Sequence, residues 1–121
     1  MTLQGNTQAP DQSSVTPAKM NAALKAKWVD ALQSGDYQQG EMFLRRDGKH
    51  CCLGVLCELA GIEISEGGGM VKGPYEKDDY EPIYKVIGSV DAAQELWRMN
   101  DGHGRPKRSF SEIADYIEKN L

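Results

Sequence analysis

His50-Cys51-Cys52-Leu53-Gly54-Val55-Leu56-Cys57 gathers all three cysteines of the chain into seven positions. From Cys52 to Ala60 the only charge is Glu58. A stretch this apolar on every side predicts a short central helix buried all round, closed by Gly61. Immediately upstream, Glu41 to Arg46, Asp47-Gly48 and Lys49 to Cys51 read as a short hairpin, because Asp-Gly supplies the positive-φ turn that joins two antiparallel strands. A hairpin feeding a cysteine-rich helix is therefore the unit around which the other segments are arranged.

Working outward, Met1 to Val15 is rich in Gln, Ser, Thr, Asn and Asp with little to bury, the composition of a disordered N-terminal arm over residues 1–15. The rest, 16–121, reads as a single domain. Thr16 offers an N-cap and Pro17 a first helical position, followed by Met20, Leu24, Trp28, Ala31 and Leu32 at helical spacing, with an end near Ser34-Gly35. Asp36 to Gly40 reads as a turn.

Past the central helix, Ile62 to Gly88 is broken by Gly67-Gly68-Gly69, Pro74 and Pro82, with Met70-Val71 and Ile83 to Ile87 as strand candidates. A segment this irregular inside a compact domain is usually tied to a ligand or partner. Ser89 or Asp91 caps a third helix that reaches about Met99 and stops at Asn100-Asp101-Gly102. Ser109 and Glu112 form a Ser-x-x-Glu capping box that opens a last helix bearing Phe110, Ile113, Ala114 and Ile117. The expected fold is a small single α+β domain, with about four helices around a buried Cys-rich helix and a short β-hairpin or small antiparallel sheet.

At 121 residues the chain has room for one core. A formal charge of -4 and a pI near 5.1 argue against nonspecific binding to nucleic acid or an anionic membrane, which call for a basic face. No run approaches the roughly 20 apolar residues of a spanning helix. The first fifteen residues lack the basic and apolar blocks of a signal peptide, and an odd cysteine count with two adjacent thiols makes a poor disulfide framework. Reduced thiols in an intracellular setting are the expectation.

The thiols admit three chemical readings. His50, Cys51, Cys52 and Cys57, with His103, supply soft metal ligands, but adjacent helical residues diverge by about 100°, so Cys51 and Cys52 would not share one ion. No metal site is therefore expected. Cys52 at a helix start could be an activated nucleophile with His103 as its base. Cys52-Leu53-Gly54-Val55-Leu56 looks somewhat like the Cys-Ser-Gly-Leu-Val start of the active helix in papain-like peptidases of the cell-wall hydrolase type, without the serine. Free cysteine as a small buried hydrophobe is the third reading and the preferred one, so no catalytic residue is assigned and the chain is read as leaning away from enzymes.

Two basic groups remain. Arg45, Arg46 and Lys49 flank the hairpin turn, and Arg105, Lys107 and Arg108 precede the capped helix, whose N-terminal amides suit an anion. Tyr80 and Trp97 are candidate stacking faces beside them. A solvated charged surface is the plainer alternative. No phosphate-binding, dinucleotide, zinc-protease or serine-elbow motif is present, and no cofactor is implied.

Lys27-Trp28-Val29-Asp30-Ala31-Leu32, Ser34-Gly35, Tyr37 to Gly40, Leu44-Arg45 and Cys51 to Leu59, with Leu96, Asn100-Asp101-Gly102 and Phe110 to Ile117, resemble a family of small, largely uncharacterised proteins encoded by bacteriophages and prophages. His103 to Arg108 is an insertion relative to that pattern, which counts against His103 as a family base. The resemblance implies a phage accessory protein in the host cytoplasm that acts by binding. Its expected action is to sequester a small anionic ligand, such as a nucleotide or cyclic nucleotide of antiviral defence, in a basic pocket for which a homo-oligomer interface is one location. The alternatives are a module that blocks a host enzyme and a Cys52 hydrolase.

Overall fold

The computed structural model describes residues 20–72, 78–102 and 106–121. Among the described residues five helices and two small β-sheets make an α+β domain: α1 (Ala22–Ser34), β1 (Gln38–Gln39), β2 (Arg45–Arg46), β3 (Lys49–His50), α2 (Cys52–Ala60), β4 (Val71–Lys72), β5 (Asp78–Asp79), α3 (Glu81–Ile87), α4 (Val90–Asp101) and α5 (Phe110–Asn120). The expected arm over residues 1–15 and the expected helix start at Thr16-Pro17 lie outside the described residues. The helix itself begins at Ala22, where the Asn21 side chain accepts from the Leu24 amide at 3.0 Å.

The central helix has the bounds its composition dictates. Residues Cys52 to Cys57 are all buried, and Gly61 ends the helix in the left-handed conformation at φ 72°. Helices α1 and α4 pack against it, α5 packs on α1 and α4, and α3 packs on α4. Trp28 is fully buried and its indole N–H donates to the Cys52 carbonyl at 2.9 Å, so α1 is both pressed and pinned onto the start of α2.

Gly54 makes the hairpin fit. A Cβ there would lie 1.7 Å from the Leu44 carbonyl oxygen, so only glycine lets the strand approach lie on the helix. The hairpin turns at Asp47 (φ 54°) and Gly48 (φ 79°), the two positive angles of a tight two-residue connection. Arg45 pairs with His50 and Arg46 with Lys49, antiparallel.

Three expectations require correction. The segment Asp36 to Gly40 is not merely a turn: Gln38 and Gln39 pair in parallel with Lys49 and His50, giving a mixed sheet in the order β1-β3-β2. Ile83 to Ile87 is helix, because Pro82 sits in the first turn and Ile83 and Ile87 fall four apart on one buried face. The β-branched Ile83, Val86 and Ile87 suggest a strand only when taken without that spacing. The third expected helix runs on through Asn100 and Asp101 before Gly102 stops it. Val71 does form a strand, paired with Asp79 and bridged to Ile64.

Candidate functional site

The thiols lie inside the core. Cys51 caps α2 with its sulfur accepting from the Gly54 amide at 3.4 Å, and burial pushes its thiol up to about 12. Burial likewise raises Cys57 to about 12 and Cys52 well above the ordinary thiol range. Desolvation thus outweighs the favourable end of the helix dipole. Cys52 has no exposed surface and its S–H points to the Leu96 carbonyl at 3.6 Å. His103 lies outside the described residues. His50, the nearer histidine in sequence, bonds through Nε2 to Glu58 at 2.8 Å and meets the Tyr37 ring edge to face. Among the described residues no group of three or more His, Cys, Asp or Glu is placed to hold a metal ion. Cys52 is thus a fully buried thiol packed between α2 and α4, while His103, the base that the hydrolase alternative invokes, is not among the described residues.

Beside the start of α2 lies a polar clamp. Asn100 is fully buried; its Oδ1 accepts from the Cys52 amide and the Gln39 amide group, both at 3.1 Å, and its Nδ2 donates to the Gly40 carbonyl at 2.8 Å and to Asp101 at 3.0 Å. All four hydrogen-bonding positions of this amide are filled. Gln39 also donates to the Arg108 carbonyl and accepts from the Phe110 amide, tying the first strand to the start of α5. Asp101 accepts from the Met42 amide at 3.0 Å and from the Trp97 indole at 2.6 Å.

The clamp floors an open cleft of about 290 Å³ lined by Gln39, Glu41, Asn100, Lys107, Arg108 and Ser109. Its cations are engaged: Lys107 pairs with Glu41, and Arg108 lies 3.9 Å from Glu112. The α5 terminus is engaged as well, since the Phe110 amide meets Gln39 and the capping box closes between Ser109 and Glu112. Arg105 lies outside the described residues. On the hairpin, Arg45 turns to Glu58 at 2.9 Å, while Arg46 and Lys49 line a second cleft of about 170 Å³ with Glu41, Phe43 and Asp47. A larger cleft of about 430 Å³ between α4 and α5 carries Glu95, Glu112 and Asp115 against Arg108 and Lys119, a balance that disfavours an anion.

Tyr80 and Trp97 do come together, with ring centroids 5.0 Å apart and planes tilted by 52°, so they pack on each other. Tyr80 donates to the Gly69 carbonyl at 2.6 Å and Trp97 to Asp101, so their polar ends are held. Together with Met42, Phe43, Leu44, Cys51, Leu53 and Gly69 they line an apolar dimple of about 10 Å³, room for a single water. Above it stands Met42, 66 % exposed, with its backbone at φ 69°. Phe43 is half-buried beneath the Arg46 guanidinium, 4.4 Å from ring to cation, and Met70 is exposed nearby in sequence to Gly69.

Sequence reading had missed Met42, Phe43, Gln39, Asn100 and Asp101. The available signal was the apolar run Met42-Phe43-Leu44 between Glu41 and Arg45-Arg46. Residues 20–67 match a family described as a domain of unknown function (DUF8296), which covers the first helix, the hairpin and the central helix. No curated protein and no solved structure matches the chain.

Proposed function

We propose that the protein acts by binding rather than by catalysis, and that its working surface is the Met42-Phe43 face, as befits a module that blocks a host protein. The observation that carries this reading is Met42. A non-glycine residue at positive φ costs free energy, and here the strain is sustained by the bond from its amide to Asp101, with the side chain left 66 % exposed. Met, Phe, Tyr, Trp and Arg, gathered here in one patch, are the residue types enriched at protein interfaces. A dimple of about 10 Å³ suits a side chain laid across it better than an enclosed small molecule.

Selection from a random peptide library on the full chain tests this. Enriched peptides should lose binding to Met42→Asp and to Phe43→Asp; enrichment indifferent to both substitutions would contradict it. In keeping with the phage-family resemblance, the setting proposed is the cytoplasm of an infected bacterium.

A second reading, capture of a small anionic nucleotide-like ligand, is favoured by the cleft where Lys107 and Arg108 stand over Gln39 and Asn100. Those cations are held only by exposed, solvent-screened pairs, which phosphate oxygens can replace. Thermal shifts with a panel of nucleotides and cyclic nucleotides, repeated on Lys107→Ala with Arg108→Ala, test it: a shift lost in the double variant supports capture, and no shift with any of them sinks it.

A further inference from the structure

Phe43 is the ridge between two different depressions. On one side lies the apolar dimple under Met42, walled by Tyr80 and Trp97; on the other lies the polar cleft where Arg46 and Lys49 stand with Glu41 and Asp47. We infer that the occupant of this face is an acidic protein segment carrying a flat apolar side chain, seated with that side chain on the Met42 dimple and its carboxylates on Arg46 and Lys49. The inference rests on the docking reading above and adds the chemistry of the partner.

Charge complementarity supplies the choice. The chain as a whole is at -4, yet residues 41–50 hold three cations, Arg45, Arg46 and Lys49, against Glu41 and Asp47. Glu41 is already taken by Lys107 and Arg45 by Glu58. Lys49 has no ion-pair partner among the described residues, and Arg46 reaches only Asp47, at 4.0 Å. A guanidinium lying on a ring keeps its in-plane N–H groups available, and those match a carboxylate in a two-bond geometry. A basic or neutral segment would gain the dimple but leave these donors without an acceptor.

Fluorescence anisotropy with three labelled synthetic peptides decides it: one rich in Asp and Glu around a Phe-Leu pair, one with those acids replaced by Lys, and one acidic with Ser-Ser in place of Phe-Leu. Expected is a preference of about tenfold or more for the acidic apolar peptide over each of the others, reversed between acid and base in Arg46→Glu with Lys49→Glu, and weakened by added salt. Equal binding of the acidic and basic peptides, or preference for the basic one, overturns the inference. If the basic apolar peptide binds best and Met42→Asp still abolishes it, the face is a docking surface and only the partner's charge is wrong. If Met42→Asp changes no peptide's binding, or no peptide binds at all, the docking reading falls together with the inference.

Discussion

The backbone amide of Met42 donates to Oδ1 of Asp101 at 3.0 Å, joining residues 59 positions apart. One carboxylate at the end of α4 therefore sets how the hairpin arm leaves the core. The same carboxylate takes the Trp97 indole N–H on Oδ2, so the two walls of the Met42 dimple share an anchor.

Asp101→Ala is accordingly expected to lower stability by about 2–3 kcal/mol, because it removes the acceptor of the partly buried Trp97 and Asn100 N–H groups as well as that of the Met42 amide. Urea denaturation measures that. A loss under 0.5 kcal/mol, roughly the scatter of an ordinary surface substitution, would mean that the carboxylate is not holding the arm.

Asn100→Ala should be more severe, at about 3–5 kcal/mol, since the Cys52 amide and the Gly40 carbonyl both lose a buried partner. Asn100→Leu, which fills the space without bonding, is expected to rescue little of this. Full rescue by leucine in the same urea series would assign the site to packing instead.

Gly54→Ala is expected to cost about 3 kcal/mol or more, because its Cβ would overlap the Leu44 carbonyl backbone, which has no flexible end to give way. Gly61→Ala provides the comparison. There the space is open and the cost is the left-handed φ of 72° alone, about 1 kcal/mol. Equal thermal midpoints for the two variants would contradict the close approach of hairpin and helix.

The thiols should be slow. Burial raises Cys51 and Cys57 to about 12 and Cys52 well above the ordinary thiol range, so alkylation of the native protein by iodoacetamide near neutral pH should run about a hundredfold or more behind that of the urea-unfolded chain. Mass spectrometry of the time course checks it, and one thiol reacting at the unfolded rate would reopen the nucleophile reading. Cys51→Ser should be tolerated within about 1 kcal/mol, serine being a good cap for the Gly54 amide.

Acid should weaken the hairpin's tie to α2. The hydrogen bond from His50, and then Arg45, holds the Glu58 carboxyl below the ordinary carboxylate range despite partial burial. A depressed carboxyl adds stability that is complete above its unfolded value and is lost as pH falls through the folded one, here from about pH 5 downward. Glu58 is about a third exposed, so screening limits the effect to about 1 kcal/mol. Urea midpoints for Glu58→Gln should fall below those of the parent at neutral pH and converge with them in acid; parallel curves would remove Glu58 from the acid response.

What the sequence made legible was local. The Ser109 and Glu112 capping box, the Asp47-Gly48 turn and the span of α2 each depend on a few adjacent residues and are found where expected. The clamp was hidden for the opposite reason: Gln39 and Asn100 meet across 61 positions, and Asn-Asp-Gly reads as a helix stop whether its amide is exposed or central. Two glutamines lack strand propensity, so β1 exists through its parallel partner rather than through its own residues. The basic clusters were visible as charges, yet their partners Glu41, Glu58 and Glu112 come from other parts of the fold or from the next turn of helix, and those pairings decide how much charge is left for a ligand.

Calorimetric titration of a library-selected peptide into three proteins, the parent, Met42→Asp and the double variant Lys107→Ala with Arg108→Ala, tests the central claim most directly. Expected is an affinity loss of about tenfold or more in Met42→Asp, with the double variant unchanged. The reverse order, with the cleft variant losing binding and Met42→Asp keeping it, would contradict the assignment of the working surface to the Met42-Phe43 face.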